Sequence, residues 1–108
     1  MNRNAFSLPE HIVGQIVDTA KRYPEIEQVI LFGSWALGNA KSGSDIDLAI
    51  SGREMEGKTV TAFHSHLEEE TTIPHFFDVI HLETIENMEL RRHILEIGIP
   101  LYSATPDS

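Results

Sequence analysis

The sequence predicts a single small α/β (α+β) domain, a mixed sheet of three to four strands with helices packed on one side. Three features predict it. Two short apolar runs, Val29–Phe32 and Phe76–Ile80, read as buried strands because they show no polar alternation. A third run, Asp45–Ile50, alternates with period two, and segments of helical periodicity separate the three.

Ser7 and Glu10 are spaced as a capping box, and Ile12, Val13, Ile16, Val17 and Ala20 follow at helical spacing until Pro24 forbids continuation. This predicts a first helix over about 8–22. A strand over 28–32 then delivers the chain into Gly33, a short helix spans 34–38, and the small and polar residues 39–44 form a surface loop. In the strand 45–50, Ile46, Leu48 and Ile50 point to one side, and Asp45, Asp47 and Ala49 to the other. A loop over 51–57 leads to a helix over 58–70 with Val60, Phe63 and Leu67 on its apolar side.

Beyond Pro74, Phe76 to Ile80 reads as a central strand, apolar on both faces except for Asp78. A last helix over about 85–97 carries Leu90, Ile94 and Ile97 on one face, with Gly98 as its stop and Pro100 beyond it. Ile99 to Tyr102 adds an edge strand. The domain runs from residue 1 to 103, and residues 104–108 form a loose tail. At 108 residues the chain has room for one compact core, not for a separate substrate domain.

Composition narrows the function. Hydrophobic residues make up 41%, but no run of about 18 apolar residues occurs, so no membrane span is expected and the chain reads as cytoplasmic. It has no cysteine, which excludes disulfides, thiolate catalysis and cysteine-bound zinc. Seventeen acidic against eight basic residues give a formal charge of −9, which repels a nucleic-acid backbone, so no direct nucleic-acid binding is expected. The same charge tolerates a triphosphate where carboxylates recruit divalent cations first.

The candidate site rests on that last point. Asp45 and Asp47, two apart on a strand, project from one face with Cα atoms about 6.6 to 7 Å apart, close enough to share a hard cation. Gly33 and Ser34 leave the preceding strand in a turn that a phosphate can approach closely, offering an amide and a hydroxyl. Asp78 is a charge in an apolar strand, costly to bury unless it is paired or metal-bound. If its strand lies beside Asp45–Ile50, the three carboxylates form one oxygen-rich site for magnesium, with Asp78 placed to accept a proton from an attacking hydroxyl. His64 and His66, two apart on a helix, face different ways and make no shared zinc site. His75 and His81 read as polar strand ends, and Glu68 to Glu70 as the solvated end of a helix.

Together these residues resemble the nucleotidyltransferase superfamily, whose signature is a glycine-serine turn followed by a serine-aspartate-x-aspartate strand. Gly33, Ser34, Ala36 and Gly38 match the first part, and Ser44, Asp45, Asp47 and Leu48 the second. The small size and the Phe-Phe-Asp-Val strand look like the minimal nucleotidyltransferases found beside helical HEPN-domain toxins. The resemblance implies ATP and two Mg2+ ions, with Gly33, Ser34 and Ser44 at the nucleotide and Asp45, Asp47 and Asp78 as metal ligands. It further implies AMP transfer to a hydroxyl of a HEPN-type toxin partner, in a hetero-oligomer for which this chain is the antitoxin.

One departure stands out. Many relatives carry arginine at the position of Leu37, and often at that of Trp35, so two phosphate-facing cations are absent here. Lys41, Arg53 or a basic partner are the replacements available. Trp35 is open to two readings, a base-stacking ring or a core or interface residue. The sequence therefore admits an active transferase, favoured by three retained aspartates, and a binding-only antitoxin, favoured by Leu37. An enzyme that nucleotidylates a cationic antibiotic suits the acidic surface, but the short chain argues against it.

Overall fold

The computed structural model describes residues 8–41 and 43–104. Its elements run in the order α1 (Glu10–Ala20), β1 (Gln28–Phe32), α2 (Gly33–Leu37), β2 (Ile46–Ser51), α3 (Gly57–Glu69), β3 (Phe77–His81), α4 (Met88–Ile97) and β4 (Ile99–Ser103). A turn of 3-10 helix, Leu82–Thr84, lies between β3 and α4. The sheet order is β3-β2-β1-β4. β1 pairs antiparallel with β2 and with β4, while β2 and β3 run parallel. This is the mixed sheet that the sequence predicts, with β4 closing one edge.

The strands of the middle are apolar on both faces because helices cover both. Val29 and Leu31 of β1 and Ile46, Leu48 and Ile50 of β2 pack beneath α1 and α3, whose Ile12, Ile16, Phe63 and Leu67 are buried with them. Ile30 and Phe32 of β1 and Ala49 of β2 face the other way and meet Leu82 and Ile94. The sequence pattern predicts helices on one side; α1 and α3 are there, whereas α4 crosses the opposite face. Ala49 marks the reason: a small side chain on the carboxylate face of β2 leaves room for Ile94, which is 1% exposed.

The chain ends of the elements follow local chemistry. Ser7 of the expected capping box lies outside the described residues; α1 begins at Glu10, and its N-cap residue Pro9 makes no side-chain capping bond. α4 starts at Met88 rather than near 85, because the Asn87 side chain accepts from the Glu89 and Leu90 N–H groups at 3.0 and 3.1 Å. It stops at Gly98, where a Cβ would run into the Ile94 carbonyl and the Ile30 side chain. At the other end of the sheet the Ala104 N–H still donates to the Glu27 carbonyl at 2.8 Å. Residues 105–108 of the expected tail lie outside the described residues.

One strand is misplaced by sequence alone. Phe77–His81 is not central but an edge, paired only with β2, so Asp78 is exposed and its charge needs no buried partner. Phe76, counted among the apolar positions of that strand, is 73% exposed. Glu68, read as part of a solvated helix end, instead fastens the strand. Its Oε2 accepts from the Phe77 N–H at 2.7 Å and from His64 Nε2 at 3.0 Å. The Phe77 hydrogen bond, opposed by burial and helped by His64, holds the Glu68 carboxyl below its usual range.

Candidate active site

Residues distant in sequence meet on the carboxylate face of the sheet. In the parallel register of β2 and β3, Asp47 and Asp78 are direct partners, as are Ile46 and Phe77 on the far face. Neighbouring strands lie about 4.8 Å apart, so the two carboxylates share one patch, and Asp45 precedes the strand on the same side. Asp45 and Asp78 are exposed, whereas Asp47 is partly covered. Burial raises the Asp47 pKa to about 6, and repulsion from Asp78 and then Asp45 adds to it, with His93 acting in the opposite direction.

Gly33 forms the wall beside Asp47. Its φ of +76° lies in the left-handed region, and a Cβ at this position would fall on the Asp47 carboxylate. The glycine is therefore required twice, once by backbone geometry and once by the approach of the carboxylate. The turn opens α2, whose Trp35 and Ala36 are buried and whose Leu37 is 49% exposed. Ser34 is partly exposed at this turn.

Trp35 takes the core reading. It is 8% exposed, crosses the His75 ring edge-on at 5.3 Å, and donates from Nε1 to the Ser44 carbonyl at 3.2 Å. Ser44 in turn accepts the Lys41 N–H through its hydroxyl at 2.9 Å and donates its own N–H to the Lys41 carbonyl at 2.8 Å. Ser44 thus ties the loop that carries Asp45 to the buried indole. Of the two cations offered as replacements, Lys41 is in this loop. Arg53 is not near: it follows the far end of β2 and pairs with Glu27 at 3.5 Å.

His93 was not singled out by the sequence, yet it sits in the site. Its Nε2 accepts the Gly33 N–H at 3.3 Å across 60 positions, and its ring meets Phe32 edge-on at 6.0 Å. No spacing signal marks it, since only the packing of α4 on the carboxylate face brings it there. His64 and His66 are engaged separately, with Glu68 and with Tyr23, as their helical spacing requires.

The donor set suits a hard divalent cation. The candidate ligand atoms are all carboxylate oxygens, and the repulsion from Asp78 and Asp45 that adds to burial in raising Asp47 is the kind that a bound cation relieves. Among the described residues no three such groups are already drawn to one point, so Asp45 and Asp78, both exposed and free to turn, would have to close on the ion.

A strand leading into a left-handed glycine turn, followed by a strand of paired carboxylates with a third on its parallel neighbour, defines a nucleotidyltransferase fold. The chain belongs to the polymerase β nucleotidyltransferase family, whose model matches residues 14–107. No curated protein sequence matches it. Among solved structures it is similar to a chain of the toxin–antitoxin complex MntA–HepT, with a TM-score of 0.68 at 17% identity, covering 92% of this chain and 76% of that one. A toxin–antitoxin structure with AMP-PNP gives a TM-score of 0.69 at 20% identity, covering 93% and 77%. A Sulfolobus solfataricus protein described as a nucleotidyltransferase gives 0.55 at 21%, covering 87% and 79%. Among the described residues no helix is long and apolar enough to cross a membrane.

Proposed function

We propose that the chain is a magnesium-dependent nucleotidyltransferase that uses ATP to transfer AMP to a hydroxyl of a HEPN-type toxin partner, acting as its antitoxin in the cytoplasm. The observation that carries this reading is the direct pairing of Asp47 with Asp78, beside Asp45 and a glycine turn. Likeness to chains from toxin–antitoxin complexes supports the choice of partner.

In this reading Asp45, Asp47 and Asp78 would hold Mg2+, and the turn would take the phosphates, Gly33 by letting them approach the backbone closely and Ser34 through its hydroxyl. Bound Mg2+ supplies charge neutralisation at the attacking and departing oxygens. The acceptor oxygen bonds to the α-phosphorus as the bond to pyrophosphate breaks, and the hydroxyl proton passes to Asp78, an exposed carboxylate on the edge strand. Ser44 contributes by holding the Asp45 loop to Trp35.

A binding-only antitoxin is the second reading, favoured by the uncharged, half-exposed Leu37 at the end of the turn helix. Incubating the chain with its HEPN partner and α-labelled ATP in Mg2+, with Asp47→Asn as control, separates the two. Label on the partner that the variant abolishes supports transfer. No label, with the variant still binding and silencing the partner, replaces it with the second reading.

A further inference from the structure

We propose that His93 is a positioning residue for the phosphate-binding turn, a role that rests on the nucleotidyl-transfer reading above. Three observations carry it. The Gly33 N–H donates to His93 Nε2 at 3.3 Å, linking α4 to the turn at its first residue. The imidazole is itself held, half-buried and edge-on to Phe32 at 6.0 Å, so the acceptor is fixed. Gly33 is the residue whose missing Cβ admits the Asp47 carboxylate.

A left-handed glycine turn has little to hold it, because glycine populates both signs of φ with similar ease. An acceptor for its amide selects one conformation, and here that conformation places the backbone against Asp47 and fixes where Ser34 follows. An imidazole accepts only through a nitrogen that bears no proton, so the hold on Gly33 belongs to the neutral ring, whereas the pull of His93 on Asp47 belongs to the charged one. His93 thereby sets the turn before any nucleotide arrives, the preorganisation that a site on a short loop otherwise lacks.

The test compares the full chain with His93→Ala, His93→Gln and His93→Asn. Glutamine places an amide oxygen near the position of Nε2, and asparagine falls short of it. Melting temperature, affinity for α,β-methylene ATP with Mg2+, and the Gly33 amide resonance are read for each. His93→Ala and His93→Asn are expected to bind the analogue about tenfold more weakly, the loss of one hydrogen bond. His93→Gln is expected to stay within about threefold of the parent at a similar melting temperature. In the parent, a through-hydrogen-bond coupling should connect the Gly33 amide to the His93 ring.

Unchanged affinity in His93→Ala overturns the proposal, and so does tighter binding, which would mean that the imidazole competes with phosphate for the amide. Loss of affinity only in proportion to lost melting temperature, without rescue by glutamine, also overturns it. If the parent fails to bind the analogue, the nucleotidyl-transfer reading falls; the hold of His93 on the turn then stands or falls with the Gly33 coupling.

Discussion

Asp47 and Asp78 face each other across the parallel pairing of β2 and β3, one partly buried and the other on the open edge. The inner carboxylate bears the cost of that arrangement, since burial and its two acidic neighbours raise its pKa to about 6. With Asp47 as a metal ligand, as proposed, stability and function are opposed at this one residue.

Asp47→Asn is expected to stabilise the metal-free fold at neutral pH while abolishing Mg2+ and nucleotide binding. The folded carboxyl holds its proton up to about pH 6 and the unfolded one only to 3.8, so native stability falls as pH rises through that interval and stays reduced above it. The variant lacks this loss. Its advantage should be about 1 kcal/mol above pH 6, after solvent screening of a half-exposed group, and should vanish near pH 3.5. Thermal denaturation across pH measures it; an equal or less stable variant at pH 7 would refute the assignment.

Mg2+ should raise the melting temperature of the parent above pH 6 and progressively lose that effect below it. The cation competes with the Asp47 proton, so apparent affinity should drop by about tenfold per pH unit on the acid side. Asp78→Asn should move the Asp47 pKa downward, by removing the larger of the two repulsions, with little loss of stability from an exposed edge position. Carboxyl-carbon NMR titration of Asp47 in the two proteins reads the shift.

Gly33→Ala should destabilise the chain by about 2 kcal/mol and abolish transfer, because alanine resists a φ of +76° and its methyl would displace Asp47. A chemical denaturation midpoint close to that of the parent would show that the turn relaxes.

Leu37→Arg and Trp35→Arg should diverge although both restore a cation at the turn. Leu37 is 49% exposed, so its replacement should leave stability within about 0.5 kcal/mol and tighten Mg·ATP binding by about fivefold. Trp35 is buried against His75, and a charge there should cost about 3 kcal/mol or more. Calorimetric titration of the two variants distinguishes them.

Glu68→Gln should loosen the edge strand by about 1 kcal/mol by weakening the hold on the Phe77 N–H. The folded carboxyl is held below 4.5, so the parent's advantage is present above that pH and is lost on acidification. Amide exchange of Phe77 reports it directly.

Much of this was legible in the sequence because it is encoded in local patterns. Strand β1 falls at 28–32 as its apolar run predicts, and β2 buries Ile46, Leu48 and Ile50 on one face with Asp47 on the other, as its alternation predicts. Glycine at position 33 follows from the same logic of a strand running into a turn. The edge position of β3 was not legible, because Phe76 and Phe77 look alike in sequence while one is solvent-facing and the other 5% exposed.

The sequence by itself determined which residues carry carboxylates, where the chain turns and which strands form. Those properties depend on neighbours within a few positions. Tertiary structure alone decided that Asp78 lies opposite Asp47, that Trp35 faces the core rather than a nucleotide, that Arg53 is at the wrong end of β2, and that His93 reaches Gly33. These are matters of register and of which sheet face α4 covers, set by how apolar surfaces from distant segments are buried together, and no short-range pattern records them.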